Sequence, residues 1–296
     1  MDFTSKAASD AFSVARSFTE ESHNDTYPAI SSNNDSHIGR AVFISGASKG
    51  IGRATAISYA RAGASHIAIA ARSSLDEVEK SMRAVSTQTL TILKLSLDVT
   101  DTNAVKEAAR KTLEAFDGRL DVLINNAGAL ENWVKVDKGD PIAWWSVWEA
   151  NLKGVYLLTR EFLPALLKSD LKWVLNVSSA GALLTVPGAS GYQGSKFAIL
   201  RFTEFLAVEY GAEGLTVVAV NPGAVRTDLA LGLPEWMHDF LNDTPELAAD
   251  TFAWLTQKGR PWLGGRYVSA SWHMPELESR KNEIVEGDKL KMRLVV

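Results

Sequence analysis

From Ile38 onward the chain repeats one pattern: a short apolar run rich in β-branched residues, then a longer stretch mixing apolar and polar positions. Ala41 to Ser45, His66 to Ala70, Leu90 to Leu97, Val122 to Asn125, Trp173 to Val177 and Leu215 to Val220 have strand length, and Gly264 to Val268 reads as a last strand. The intervening segments, about 50–62, 74–85, 101–116, 142–168 and 191–213, have helix length. Thr244-Pro245-Glu246 opens another helix to about Leu255, with threonine at the N-cap and proline in the first turn. Strands apolar throughout, alternating with helices, imply a parallel sheet covered on both faces. The expected fold is α/β, a doubly wound parallel sheet of about seven strands. No repeat or flexible linker interrupts 38–270, so one domain is expected over 37–296. Residues 1–36, rich in Ser, Asn, Asp and Thr, read as an N-terminal extension that is partly ordered at best. Within it, Ala8 to Phe18 could form a short amphipathic helix, and Tyr27 and Ile30 could pack on the domain.

The first strand runs into Ser45-Gly46-Ala47-Ser48-Lys49-Gly50-Ile51-Gly52, followed by helix-like Arg53 to Arg61. Glycines there permit a tight turn and close approach of a pyrophosphate to backbone N–H groups, and the helix dipole favours the anion. The alternative is a glycine-rich turn that binds nothing. Twenty residues past Gly52, where an acidic residue would hold the ribose 2′-hydroxyl of NAD, the chain reads Ala70-Ala71-Arg72-Ser73. Arg72 can make a two-pronged bond to a 2′-phosphate, and Lys49 adds a second cation, so NADP(H) is expected over NAD(H). Both could instead be solvated surface cations.

Tyr192 and Lys196 stand four apart in Tyr192-Gln193-Gly194-Ser195-Lys196, with Ser179 thirteen positions upstream of Tyr192. On a helix the phenol and ammonium share a face. Two unit charges about 4 Å apart at an effective dielectric of about 20 attract by roughly 4 kcal/mol. That would draw a phenol from its usual pKa of about 10 toward neutrality, before desolvation opposes it. Such a tyrosine could exchange a proton near neutral pH.

Taken in order over about residues 39–270, these motifs resemble the short-chain dehydrogenase/reductase family. The glycine loop is Gly46, Gly50 and Gly52. Asp98-Val99 is similar to the pair that faces adenine. Asn125-Asn126-Ala127-Gly128 matches the segment that stabilises the central sheet and lines the cofactor cleft. Asn151 matches the helix asparagine that supports a water-linked proton path, and Ser179, Tyr192 and Lys196 match the catalytic trio. Pro222-Gly223, with Val225 and Thr227, matches the segment contacting nicotinamide. The resemblance implies a Rossmann-type fold and an NADP-preferring enzyme of the Ser-Tyr-Lys type. Tyr192 would be the general acid or base, Lys196 would lower its pKa and hold the nicotinamide ribose, and Ser179 would bond the substrate oxygen. Asn151 would link Lys196 to solvent. Each residue also has a plain structural role open to it: Ser178 or Ser179 as a strand-end cap, Thr227 as an N-cap, Asn151 as an ordinary helix residue.

Beyond Pro222-Gly223, residues 226–242 would form a flap over the substrate, with Leu229, Leu233, Trp236, Met237 and Phe240 as an apolar covering. Leu183 and Val186 would line the opposite wall. A bulky apolar or aromatic carbonyl substrate is expected, unless these side chains pack on the core or on another subunit. Helices 142–168 and 191–213, with the Trp144, Trp145 and Trp148 cluster, are candidates for the contact of a homodimer or homotetramer. The tail, about 271–296, ends apolar at Leu294-Val295-Val296 and could dock on the body or a neighbour.

Composition narrows the classes. With 46% hydrophobic and 22% charged residues and a net charge of −4, the chain is ordinary for a globular protein and lacks basic runs for nucleic acid or anionic membrane. It has no cysteine, which excludes disulfides and thiol nucleophiles. His66, His238 and His273 lack partners at metal-ligand spacing in the sequence, so no metal is expected. Neither a secretory leader nor a transit peptide is evident at the N-terminus, which favours a cytoplasmic protein. The expected function is an NADPH-dependent carbonyl reductase or the reverse alcohol dehydrogenase, in keeping with specialised metabolism. A redox-silent isomerase, dehydratase or cyclase is the alternative, and a non-enzymatic NADP-binding regulator the third.

Overall fold

A computed structural model describes residue 13 and residues 16–294. Seven strands form one wholly parallel sheet in the order β3-β2-β1-β4-β5-β6-β7. They are β1 (Ala41–Ser45), β2 (His66–Ala71), β3 (Thr91–Ser96), β4 (Val122–Asn125), β5 (Trp173–Val177), β6 (Thr216–Asn221) and β7 (Arg266–Ser269). The helices are α1 (Gly50–Arg61), α2 (Asp76–Val85), α3 (Thr102–Ala115), α4 (Pro141–Trp148), α5 (Gly154–Leu166), α6 (Ser190–Tyr210), α7 (Pro245–Thr256), α8 (Met274–Ser279) and α9 (Lys281–Glu286).

Every residue of β1, β4, β5, β6 and β7 is buried, as strands covered on both faces require. Alternation along β1 sends Val42 and Ile44 into a core with Tyr59 of α1, Val78 and Met82 of α2, and Phe252 of α7. Ala41 and Phe43 face the other core, with Val105 of α3 and Leu158 and Phe162 of α5. The chain order reverses between β1 and β4, and at such a switch point the crevice beyond the carboxyl ends of the strands is where ligands bind.

Two expectations change. The helix expected over 142–168 is broken: α4 passes through a π-helical turn, Glu149–Lys153, before α5 begins. A π-turn admits one extra residue per turn, and here it carries Asn151 into the interior. At the C-terminus, Leu290 and Met292 pack against the core, whereas Leu294 is exposed; Val295 and Val296 lie outside the described residues. At the other end, the segment from Arg16 to Ser36 is laid across the body. Phe18 packs on Trp272 at 4.9 Å, the His23 amide donates to Ser271 O at 2.8 Å, and Thr26 Oγ1 donates to Asp250 at 2.6 Å. Ile30 is in the core, with Tyr27 beside it. The helix expected from Ala8 to Phe18 lies mostly outside the described residues. No helix among the described residues is long and apolar enough to cross a membrane.

Candidate active site

Two hollows meet above the carboxyl ends of β1, β4, β5 and β6. The larger, of about 690 Å³, follows the glycine loop from Arg72 to Lys196. The smaller, of about 130 Å³, lies under the 226–242 flap. Tyr192, Ser178, Ile51, Pro222, Thr227 and Leu229 border both.

The loop closes against β4. Asn126 Nδ2 donates to Ser45 O at 2.9 Å and Gly46 O at 3.1 Å, while Ser45 Oγ accepts from the amides of Asn126 and Ala127. Gly46 has φ +66, and a Cβ there would sit 2.8 Å from Ala127 Cα; a Cβ on Gly52 would sit 2.2 Å from Gly46 O. Both positions therefore demand glycine. Helix α1 begins at Gly50 with no side chain capping its N-terminus, so its first N–H groups open on the cleft. That arrangement fits a pyrophosphate.

Of the cofactor residues expected from the sequence, all but three line this cleft. Asn125 does not, because its amide is spent inside the sheet on Thr159 Oγ1 at 3.0 Å and Asn176 Oδ1 at 2.8 Å. Gly223 and Val225 line the smaller cavity instead. Arg72 and Ser73 are exposed at the cleft's far end. Asp98 accepts from the Thr100 amide and hydroxyl, which with Arg72 nearby hold its carboxyl below the usual range. Lys49 is not a free cation: its Nζ pairs with Asp228 at 2.6 Å.

The trio comes together. Ser179 follows β5 as the N-cap of a short 3₁₀ turn, its Oγ accepting from the Gly181 amide at 3.0 Å. Tyr192 and Lys196 are one turn apart on α6, with Nζ 5.9 Å from the ring centroid and donating to Val177 O at 2.8 Å. Ser179 Oγ and the edge of the Tyr192 ring both lie beside Gly181, and the hydroxyl acts to lower the phenol's pKa. Ser178 does not cap the strand; its hydroxyl donates to Lys196 O at 3.0 Å.

The electrostatics differ from the expectation of a lysine-depressed tyrosine. Burial pushes Tyr192 above its ordinary value, opposed by the Ser179 hydroxyl, and the nearby Glu131 carboxylate pushes it further up. Lys196, buried beside it, is lowered by burial to about 8. In a uniform medium the lysine would draw the phenol down. Here desolvation acts on both groups and outweighs their mutual attraction.

Asn151 does not line the cleft. Its Oδ1 accepts from the Ala129 amide at 2.8 Å, and its Nδ2 donates to Ala129 O at 3.0 Å and Ser195 Oγ at 2.9 Å. Ser195 in turn donates to Tyr192 O at 2.8 Å. The side chain thus clamps the loop after β4 to the helix that carries Tyr192 and Lys196.

The smaller cavity has mostly apolar walls. Leu229, Leu233 and Met237 line it as expected, but Leu183, Val186, Trp236 and Phe240 do not. In the 3₁₀ helix Glu235–Phe240 only Met237 is buried, so Trp236 and Phe240 flank the wall rather than form it. Leu183 packs into the core, and Val186 is held back by its amide bond to Gln193 Oε1. Leu130, Trp133, Leu184 and Leu241 take those places.

Several residues had no sequence signal. Glu131 Oε1 accepts from the amides of Gly191 and Tyr192, both at 2.9 Å, at the start of α6. Arg16, from the N-terminal segment, lines the cavity and pairs with the buried Asp243, which also accepts from the Ala224 amide. His273, isolated in the sequence, stands 2.9 Å from His23.

A family model described as short chain dehydrogenase matches residues 40–238. The chain belongs to the short-chain dehydrogenase family. Within that family it is 51% identical over 292 residues to the short chain dehydrogenase citE of Monascus ruber, covering 97% of this chain and all of that protein. It is 42% identical to the short chain dehydrogenase andI of Emericella variicolor, over 97% of this chain and 99% of the other. Among solved structures, a short-chain dehydrogenase/reductase double mutant from Serratia marcescens superposes with a TM-score of 0.71 at 26% identity, covering 78% of this chain and 96% of that one. A short-chain type dehydrogenase/reductase from Mycobacterium ulcerans, at 22% identity and TM-score 0.72, shares the fold. This short-chain dehydrogenase is accordingly a Rossmann-type oxidoreductase with a cleft for a nicotinamide nucleotide.

Proposed function

We propose that the protein is an NADPH-dependent carbonyl reductase, or the reverse alcohol dehydrogenase, whose substrate presents an apolar group next to the reacting carbon. The observation that carries this reading is Tyr192: its ring borders both the dinucleotide cleft and the apolar cavity, and Ser179 lines the cavity with it. A cavity of about 130 Å³ is close to the roughly 150 Å³ that holds one benzene, so the group enclosed next to the reacting carbon is about one ring in size.

When bound, the nicotinamide supplies or accepts the hydride. As hydride reaches a carbonyl carbon, negative charge grows on its oxygen, and Tyr192 and Ser179 are the two donors placed to meet it. Tyr192 gives its proton to that oxygen, which burial favours by keeping the phenol protonated. Lys196, lowered to about 8, is poised to exchange a proton behind it. Asn151 and Glu131 act on position, the one through Ser195 and Ala129, the other through the first amides of α6. Preference for NADP(H) rests on Arg72, which is exposed at the cleft with no carboxylate at the equivalent ribose position.

Consumption of NADPH or NADH, followed by nicotinamide absorbance over a panel of alkyl and aryl ketones, tests the proposal. Turnover with NADPH that vanishes in Tyr192→Phe is the expected result. Product formed without net nucleotide consumption would point to an isomerase or dehydratase, and binding without turnover to a regulator. Association into a homodimer or homotetramer is part of the same proposal. Ile142, Trp145, Tyr156, Phe197, Phe205 and Val208 on α4, α5 and α6 are all exposed, and sedimentation equilibrium tests whether they mediate it.

A further inference from the structure

The N-terminal segment and the loop after β7 bring together Glu21, His23 and His273. Their donor atoms lie within 4.8 Å of one another, and no other trio of His, Asp or Glu does so among the described residues. His23 Nε2 and His273 Nδ1 are 2.9 Å apart, while the Glu21 oxygens stand 3.7 Å from the first and 3.6 Å from the second. The last two distances are too long for direct hydrogen bonds. They match ligands at about 2.1 Å from a tetrahedral ion, which stand about 3.4 Å from each other; the two imidazoles, hydrogen-bonded at 2.9 Å, would part by about 0.5 Å to hold the ion.

We propose that Glu21, His23 and His273 form a binding site for one divalent transition ion of the Zn²⁺ type, with water completing the coordination. The donor set of two imidazoles and a carboxylate suits zinc, copper or nickel better than magnesium or calcium. With no cysteine in the chain, no thiolate competes for the ion.

The ligands are held by their surroundings. The His23 ring stacks on Tyr27 with centroids 3.6 Å apart and an angle of 14°. The Tyr27 hydroxyl accepts from the Met274 amide at 2.7 Å, fixing the residue next to His273. The amides of His23 and His273 are themselves bonded, to Ser271 O at 2.8 Å and Thr19 Oγ1 at 3.1 Å. Such outer contacts orient metal ligands in advance.

The site is structural in character, since none of the three residues lines the cleft or the cavity. It sits where the first described segment crosses the last strand's loop. Arg16 and Ser271, each a few residues away, both border the substrate cavity, so the ion would brace one wall of it. This proposal is independent of the reductase reading.

The test uses the untagged full-length protein, stripped with chelator and titrated with Zn²⁺ by calorimetry near neutral pH. One Zn²⁺ per chain is expected, with a rise in melting temperature, and Co²⁺ in its place should show the visible bands of a tetrahedral site. Glu21 is exposed, so Glu21→Ala keeps the fold; it and His273→Ala should each weaken Zn²⁺ binding by more than the about 10- to 100-fold that loss of an outer-sphere partner costs. No saturable uptake by the wild type, or uptake that neither substitution alters, overturns the proposal.

Discussion

Replacing Lys196 by methionine separates its catalytic value from its cost to the fold. Burial lowers the folded-state pKa of Lys196 from 10.5 to about 8. The folded state therefore disfavours the charged ammonium, and stability is reduced as long as the lysine is protonated in both states. The penalty is complete below about pH 8 and fades as pH rises toward 10.5, because there the unfolded chain binds a proton that the folded one does not. The difference, 10.5 − 8 = 2.5, at about 1.36 kcal/mol each, is worth roughly 3 kcal/mol. Of this, about 2 kcal/mol is recovered between about pH 7 and about pH 9.5. Lys196→Met keeps the chain length and removes the titration, along with the bond to Val177 O. Urea unfolding of both proteins across this range isolates the effect, since every other group titrates alike in the two. The wild type should gain about 2 kcal/mol relative to the variant as pH rises, while the variant loses turnover. Parallel stability curves would refute the burial argument.

Other expectations follow from the same geometry. Tyr192→Phe should lower turnover by at least about 100-fold with little change in nucleotide affinity, measured by steady-state kinetics and fluorescence titration. Arg72→Ala should weaken NADPH by about 10- to 100-fold and leave NADH nearly unchanged, the loss of one charge-assisted contact, read from the two dissociation constants. Glu131→Gln removes the carboxylate that pushes Tyr192 up; the alkaline loss of carbonyl reduction should move to lower pH, visible in the kcat/KM profile. Arg16→Ala should open the cavity wall and raise KM for ketones with one ring beside the carbonyl, while Trp236→Ala, outside that wall, should not.

The strands were legible because a strand buried on both faces leaves an unbroken apolar run, and Ala41–Ser45 is such a run. Gly46 and Gly52 were legible from the glycine-rich turn between strand and helix, Tyr192 and Lys196 from helical spacing, and Ser179 from the family resemblance. The π-turn at Glu149–Lys153 was not, since nothing in its composition separates it from ordinary helix. The flap misled in part: its apolar residues were correctly noticed, but only the backbone decides that Met237 faces inward and Trp236 does not. Arg16, Glu131 and the His23–His273 pair depend on contacts between distant parts of the chain, which no local pattern announces. The proton affinities of Tyr192 and Lys196 likewise depend on enclosure, a property of the assembled molecule.

The stitching of the first described segment to the last third of the molecule has a consequence for biosynthesis. Arg16 meets Asp243 across 227 positions, and Arg280 meets Phe18 across 262. At about 5–20 residues per second, the ribosome delivers those partners about 10–50 s after Arg16 and Phe18. Until then the substrate hollow has no completed rim, and Phe18 and Ile30 have no core to enter. In that interval Arg16 and Phe18 stand without the partners that hold them in the folded protein.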